Sequence, residues 1–541
     1  MVSFLQILGL AAGLVLTAVG VSAQDVQVRR GNCLPPAETD DMAAARSQAP
    51  RKLPAINRDW NPDKVYKQPV ILITFSKTND TVPTPCVFSM ENPRATYDKI
   101  FNERGYHQRS GYGCVADYYR DQSNGMFNLE FDVFGPYMVD TLAQPYKNAS
   151  SSSTNYGRAM FVEATKKWIE ENPTLDYKQY DWNGNGKINQ VIFVSAGYCG
   201  NQNNDKSDGY IWPNTSAFTT ITAPDGTRIS DYTASAELWV NNTSCGIGTI
   251  CHEFTHSLGL PDIYPVGSSS LLPYSIMDEW ELMDGGNFTN YGWCPPNFTP
   301  FEKMLMGWLT PTELDTPKSI KNLQPSADGG DVYQIKHTDT EFLLLENRQW
   351  SGWDAGIPGK GLVIYHVNYD ASKWSSNHVN GTVNKYGYSL VSADNMDYAA
   401  WDNLFWDWYK AHLISNPYQN AGHMNNIHLS SSAYPWSTDS TDVVNCELTD
   451  TSVPAAKMYT ENAEGSTLLS KSITNIWMTN DGLVSFDFMG GDEALGIVPI
   501  VSATKPQGTE QVYDLMGRRT TFNSQIKIIR QPDGTVRKVF Q

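Results

Sequence analysis

Val70-Ile71-Leu72-Ile73-Thr74-Phe75 is an almost unbroken apolar run rich in β-branched side chains, the pattern of a strand buried on both faces. Val191-Ile192-Phe193-Val194 reads the same way, whereas Phe127 to Phe134 alternates apolar and polar residues, as a half-buried strand does. Tyr97 to Phe101, Val115 to Gln122 and Phe161 to Glu170 carry helical spacing, and a further helix is predicted near Gly248 to Leu258. Beyond Pro311 the pattern changes to short strands between Gly, Asn and Asp turns, at Val332 to Ile335, Phe342 to Leu345, Leu362 to Tyr365 and Val484 to Phe488. Asn395 to Thr441 is aromatic and polar without a clear period and reads as a long surface excursion. From Gly491 on, Val512 to Arg519, Ile526 to Arg530 and Gly534 to Val539 look like hairpin strands with a basic end. The predicted fold class is α+β.

The amino end adds a statement about export. Phe4 to Val21 is nearly all apolar and closes on Val21-Ser22-Ala23, small residues that suit cleavage of a signal peptide after Ala23. An uncleaved membrane anchor is the alternative, because the run approaches bilayer-spanning length. Gln24 to Tyr66 is polar and turn-rich and is expected to be a lead or pro-segment with little core of its own. The formal charge of −18 argues against nucleic acid as a partner and against a basic membrane-facing surface. Contact with a membrane is expected only through export or through the tail, and the chain is expected to be a monomer. Eight cysteines (Cys33, Cys86, Cys114, Cys199, Cys245, Cys251, Cys294 and Cys446) permit disulfides in an exported chain, but their spacing assigns no pairing. Cys33, in the lead segment, could cap a metal in a latent form; an ordinary thiol or disulfide partner is the plainer reading.

The chemistry is carried by His252-Glu253-Phe254-Thr255-His256-Ser257-Leu258-Gly259-Leu260-Pro261-Asp262. Histidines four apart share one helix face, so both imidazoles can hold one ion. Glu253 is displaced around the helix as a candidate general base. Gly259 and Pro261 end the helix and would swing Asp262 back as a third ligand, leaving one zinc position open to water or substrate. This is a metzincin-type arrangement, with an aspartate where the longer pattern usually has histidine. Glu279, Glu281 or Glu302 is the rival third ligand. Met283, in Trp280 to Gly286, could lie beneath the metal in a tight turn, and Tyr264 or Tyr291 could donate to an oxyanion.

Several segments resemble the immune inhibitor A family of secreted bacterial metalloproteases. They are Gly246 to Tyr264, Met283 to Gly286, Phe301 to Leu309, Gly113 to Tyr119, Asp121 to Gly125, Phe342 to Arg348 and Gly361 to Val367, so the likeness runs from about Lys67 to about Gly490. The resemblance implies a zinc-dependent endopeptidase acting on protein or peptide, with His252, His256 and Asp262 as ligands, Glu253 as base and Met283 as turn methionine. Signal peptide (1–23), lead segment (24–66), metzincin-like zinc peptidase domain (67–311), β-rich accessory domain (312–490) and tail module (491–541) complete the expected organisation. The tail is read equally as a secretion or attachment module and as a plain β appendage.

A second metal pattern, Asp181-Trp182-Asn183-Gly184-Asn185-Gly186-Lys187-Ile188-Asn189, follows the front half of a calcium loop. Asp181, Asn183, Asn185, the Lys187 carbonyl and Asn189 are the candidate ligands, but the closing glutamate is missing, since Ile192 stands there. A plain Gly-Asn turn is the alternative. Two other functions stay open: an adhesion protein on a peptidase scaffold, and a zinc amidohydrolase acting on a glycan-linked amide.

Overall fold

The computed structural model describes residues 53–56, 58–77, 84–140, 156–202, 211–239, 242–266, 271–403, 429–439, 442–495, 511–513, 526–530 and 536–540. The predicted signal peptide, Cys33 and most of the lead segment lie outside these residues. The chain is mixed α/β, with several sheets and few helices. It divides into two compact units, residues 1–491 and 492–541.

The first unit is built on a five-stranded sheet of β1 (Val65–Phe75), β2 (Asn128–Val139), β3 (Val191–Tyr198), β4 (Asn214–Thr222) and β5 (Arg228–Leu238), in the order β2-β1-β3-β5-β4. All pairings are parallel except that of β4, the antiparallel edge. The unbroken apolar run of β1 follows from this position, because a central parallel strand is covered on both faces. Ile71, Ile73, Val191 and Phe193 face one core, where Phe161 and Trp168 of the helix α3 (Tyr156–Glu171) cover them. Val70, Leu72, Ile192 and Val194 face the other. Helices α1 (Pro93–Asn102), α2 (Val115–Gln122) and α4 (Gly248–Ser257) pack into that second core. Among the described residues no helix is long and apolar enough to cross a membrane.

After the short helix α5 (Pro300–Leu305), the chain forms β6 (Thr312–Glu313), β7 (Lys318–Leu323), β8 (Tyr333–Lys336), β9 (Glu341–Arg348) and β10 (Gly361–Asn368). The helix α6 (Ala371–Ser375) and β11 (Tyr388–Leu390) follow, then the hairpin β12 (Trp436–Asp439) and β13 (Asp442–Asn445), and lastly β14 (Ile473–Met478) and β15 (Val484–Phe488). One sheet runs β11-β10-β9-β8-β6 and another β14-β15-β7. Alternation along β9 and β10 sends Leu343, Leu345, Leu362 and Ile364 into a third core shared with Ile473, Val484 and Phe486. Phe342, Leu344, Val363 and Tyr365 point the other way, into the same core as the Gly248–Ser257 helix. Phe301 joins the halves, its ring 5.7 Å from Phe342 and 5.0 Å from Trp374.

Two expectations change. From Leu53 onward the lead segment is part of the unit: Leu53 is 4% exposed, its N–H donates to the Ser375 carbonyl, and the Trp60 indole donates to the Met306 carbonyl. Polar neighbours hid these anchors, because a single Leu or Trp in a turn-rich stretch has no period. The segment read as a surface excursion is also partly internal, since Tyr398, Leu429, Ala433 and Tyr434 are buried. The second unit is described by the antiparallel sheet β16-β17-β18 (Gln511–Tyr513, Ile526–Arg530 and Val536–Phe540).

Candidate metal centre

The α4 helix is buried around its whole circumference from Gly248 to His256. Tyr119 donates its hydroxyl to the Cys251 carbonyl at 2.8 Å and lies 2.9 Å from the Thr255 hydroxyl, while Phe254 packs on Tyr119, Phe131 and Trp182. Gly248 allows the helix to start here, because a Cβ would stand 2.1 Å from the Asn287 carbonyl oxygen. At the other end Gly259 adopts φ +103°, a left-handed value that breaks the helix and turns the chain toward Asp262. A Cβ there would meet the Pro54 carbonyl at 2.7 Å and Ile56 at 2.9 Å.

His252, His256 and Asp262 come together, with one donor atom from each lying within 4.8 Å of the others. The His252 and His256 Nε2 atoms stand 3.1 and 3.0 Å from Asp262 Oδ1. Each Nδ1 faces a backbone carbonyl, Leu282 for His252 at 2.9 Å and Leu260 for His256 at 2.8 Å. A carbonyl can only accept, so each Nδ1 carries a proton and each Nε2 is turned to the centre, where it donates to Asp262 Oδ1 when the ring is protonated and offers a lone pair when the ring is neutral. The neutral form is the tautomer a metal needs, held by the outer partners that metal-binding histidines usually have. Burial alone would push the Asp262 carboxyl up, but the two imidazoles outweigh it and hold it well below the usual carboxylate range. Burial likewise disfavours charge on His252, and Asp262 reverses that, so its pKa is raised. Two neutral-capable imidazoles and one carboxylate are a fitting donor set for zinc.

Glu253 is 2% exposed, and the Thr215 hydroxyl of the edge strand lies 3.2 Å from its Oε2. Thr215 and Thr233 also bond the Glu253 backbone carbonyl, so β4 and β5 fix the residue from the sheet side. Met283 is fully buried, and its carbonyl accepts from Ile263 N at 2.8 Å. The turn that presents Leu282 to His252 closes through Gly286 N to the Glu281 carbonyl at 2.8 Å. Inside it, the Asp284 carboxylate takes the N–H groups of Ile276 and Met277, and burial pushes its pKa up to about 6.

Of the rival third ligands, Glu281 and Glu302 are fully buried in contact with each other. Burial first, then the neighbouring Glu302 charge, pushes the Glu281 carboxyl far up. Glu279 does not join the two histidines in the donor group. Tyr264 lies nearly parallel to the His252 ring, at 8° and 6.4 Å between centroids, whereas Tyr291 has its ring under the Arg109 guanidinium at 4.7 Å.

The 181–189 loop closes on Asp181, whose carboxylate accepts from Asn185 N at 3.1 Å and from Gly186 N at 2.7 Å. Asn183 Oδ1 accepts from the same Asn185 N–H at 3.3 Å, and Asn189 N donates to the Tyr180 carbonyl. Lys187 extends its ammonium to Asp231. Among the described residues no group of three acidic, histidine or cysteine side chains gathers at this loop.

Sequence reasoning missed Asn377, which donates Nδ2–H to Asp262 Oδ2 at 2.7 Å and accepts Asp262 N–H on Oδ1 at 2.6 Å. It also missed the carbonyls of Leu282 and Leu260, because backbone acceptors leave no mark in the residue pattern.

Residues 61–308 match the family model described as immune inhibitor A peptidase M6, catalytic domain. A relative from Bacillus thuringiensis subsp. alesti, immune inhibitor A, is 24% identical over 313 residues, covering 51% of this chain and 45% of the relative. A Vibrio cholerae protein (strain M66-2) named pre-pro-metalloprotease PrtV is 22% identical over 318 residues, covering 49% of this chain and 34% of the relative. The chain thus spans less than half the length of the curated relatives it matches.

Proposed function

Because residues 61–308 belong to the immune inhibitor A peptidase family, we propose that this chain is an exported zinc-dependent endopeptidase that hydrolyses peptide bonds in proteins. The observation that carries this reading is the convergence of His252 Nε2, His256 Nε2 and Asp262 Oδ1, with each imidazole held in the ligating tautomer by a carbonyl. Zinc, when bound, would supply a Lewis acid that polarises the scissile carbonyl and acidifies water. Glu253 is the proton carrier: its carboxylate takes the proton of the attacking water and hands it to the departing amine. The Thr215 hydroxyl gives its one hydrogen to the Glu253 backbone carbonyl and so fixes the residue, with the carboxylate Oε2 3.2 Å away. Met283 has no proton or charge to offer and serves as an apolar support for the turn behind His252. Export rests on the 1–23 signal pattern. A complete donor set with its base favours hydrolysis over adhesion on a spent scaffold. Loop 181–189 we read as a weak calcium site, because Asp181 closes the loop as that pattern requires. Calcium should then raise Tm in the parent and leave an Asp181→Ala variant unchanged; no difference between the two would remove calcium from the reading.

The test is cleavage of denatured casein by the full chain, with and without a zinc chelator, beside Glu253→Ala. Cleavage that stops with chelator, returns with zinc and is lost in the variant is expected. Cleavage that survives metal removal, or a fully active Glu253→Ala, would sink the mechanism. Mucin-like glycoprotein and simple amides in the same assay separate protein from glycan-linked substrates.

A further inference from the structure

We infer that Asn377, supplied by the β-rich half of the chain, is a positioning residue of the metal centre that holds Asp262 in one-oxygen ligation. The inference rests on the zinc reading above and adds a residue 115 positions away from the ligand it acts on. Asp262 has two carboxylate oxygens with separate tasks: Oδ1 lies 3.1 and 3.0 Å from the two imidazole Nε2 atoms, while Oδ2 receives the Asn377 amide at 2.7 Å. The Asp262 N–H closes the other side of the clamp on Asn377 Oδ1 at 2.6 Å. One planar group therefore fixes both the backbone of residue 262 and the rotation of its side chain. A carboxylate without that restraint could turn to offer both oxygens, or swing away, and the ligand geometry would no longer be unique.

The residue type and its setting fit this task. A carboxamide carries its donor and its acceptor on separate atoms of one planar group, whereas aspartate, which cannot donate when ionised, would set a second negative charge against Oδ2. Asn377 has φ +57°, a left-handed conformation that asparagine tolerates and most side chains do not. It is 8% exposed and follows α6, whose first turn is capped by Asp370 and whose Trp374 is buried. Asn380, one turn on, donates to the Ile263 carbonyl at 2.7 Å and to the Tyr388 carbonyl at 2.8 Å. The loop after α6 is thus seated on two consecutive residues, 262 and 263, beside the centre.

The competing explanation is that Asn377 only ties the halves together. The full chain is stripped of metal, its zinc affinity is measured by competition with a chromophoric chelator, and the visible spectrum of the cobalt form is recorded. Asn377→Asp keeps the shape and the left-handed backbone; Asn377→Gly keeps the backbone and adds no charge. Asn347→Ala is the control, since buried Asn347 donates to the Leu323 and Gly482 carbonyls and accepts from Gln349 Nε2, none of them part of the metal centre. Both Asn377 variants are expected to bind zinc about 10–100-fold more weakly and to shift the cobalt bands. Asn347→Ala should lower Tm and leave both metal readouts unchanged. Unchanged affinity and spectrum in folded Asn377→Asp and Asn377→Gly would overturn the inference, as would an equal loss in Asn347→Ala. Should Asn377→Asp not fold, Asn377→Gly decides; failure of both to fold with zinc present would make Asn377 a folding residue and overturn the assignment. A parent chain that binds no zinc is a different result, which overturns the metal reading itself and this inference with it.

Discussion

His252 and His256 each spend one ring nitrogen on a carbonyl, and this division of labour sets what single substitutions should do. Glu253→Ala leaves all three donors and both carbonyl partners in place, so zinc should stay bound while peptide cleavage falls by about 10²–10⁴-fold. His256→Ala removes a donor, so zinc and cleavage should be lost together, as read by metal analysis and the casein assay. Gly248→Ala belongs to another class, because its Cβ would stand 2.1 Å from the Asn287 carbonyl oxygen and neither backbone can move far. A loss of about 3 kcal/mol or more in urea unfolding is expected; a change under about 1 kcal/mol would mean the turn gives way more easily than its packing suggests. The donors were legible in the sequence because helical spacing alone places residues 252 and 256 on one face, and a glycine three residues on permits the return to 262. Asn377 was not, since nothing local distinguishes a clamp on a distant carboxylate from an ordinary loop asparagine.

Among the elements, β9 shows how a strand buries a charge at a profit. Glu341 is buried and accepts from His366 Nε2 at 2.8 Å, Tyr459 N at 2.6 Å and Thr460 N at 2.9 Å. Burial opposes its ionisation, but these donors win and hold its pKa at about 2, below the ordinary 4.5 of a glutamate. The ionised group therefore stabilises the fold above that ordinary value, and the contribution fades as pH falls toward the folded one. Glu341→Gln should cost roughly 3 kcal/mol at neutral pH, and the gap to the parent should shrink as unfolding is measured at lower pH. A gap that does not depend on pH would assign the loss to packing instead. Strands β1 and β3 could be read from their apolar runs, whereas β4 and β5 escaped. Their face toward Glu253 is polar, although Phe218, Ile229 and Tyr232 are buried in an apolar core: Thr233 bonds Gln190, Thr215 lies against Thr233, and both reach the Glu253 carbonyl. Strands that support an active residue through hydroxyls lose the hydrophobic signature by which strands are recognised.

At the scale of the molecule, the peptidase half and the β-rich half of the first unit share one core through Phe301, Phe342, Trp374 and Tyr388. A chain ending at Pro311 would expose that core and lack Asn377, so it should be insoluble or fail to retain zinc. A chain ending at Gly491 keeps the whole first unit and should melt as the parent's first unit does. A soluble, zinc-retaining 67–311 fragment would show that the β-rich half is dispensable for the centre.

Gly259 has no side chain, and Pro54 and Ile56 occupy the place where one would be. The strap at Pro54 and Ile56 is thus a wedge that holds the turn in place. A chain shortened past Ile56 loses both neighbours of the turn that aims Asp262 and the Leu53 tie to Ser375, two residues from Asn377. A chain beginning at Asn57 should therefore bind zinc more weakly than one beginning at Leu53, as read by competition with a chromophoric chelator.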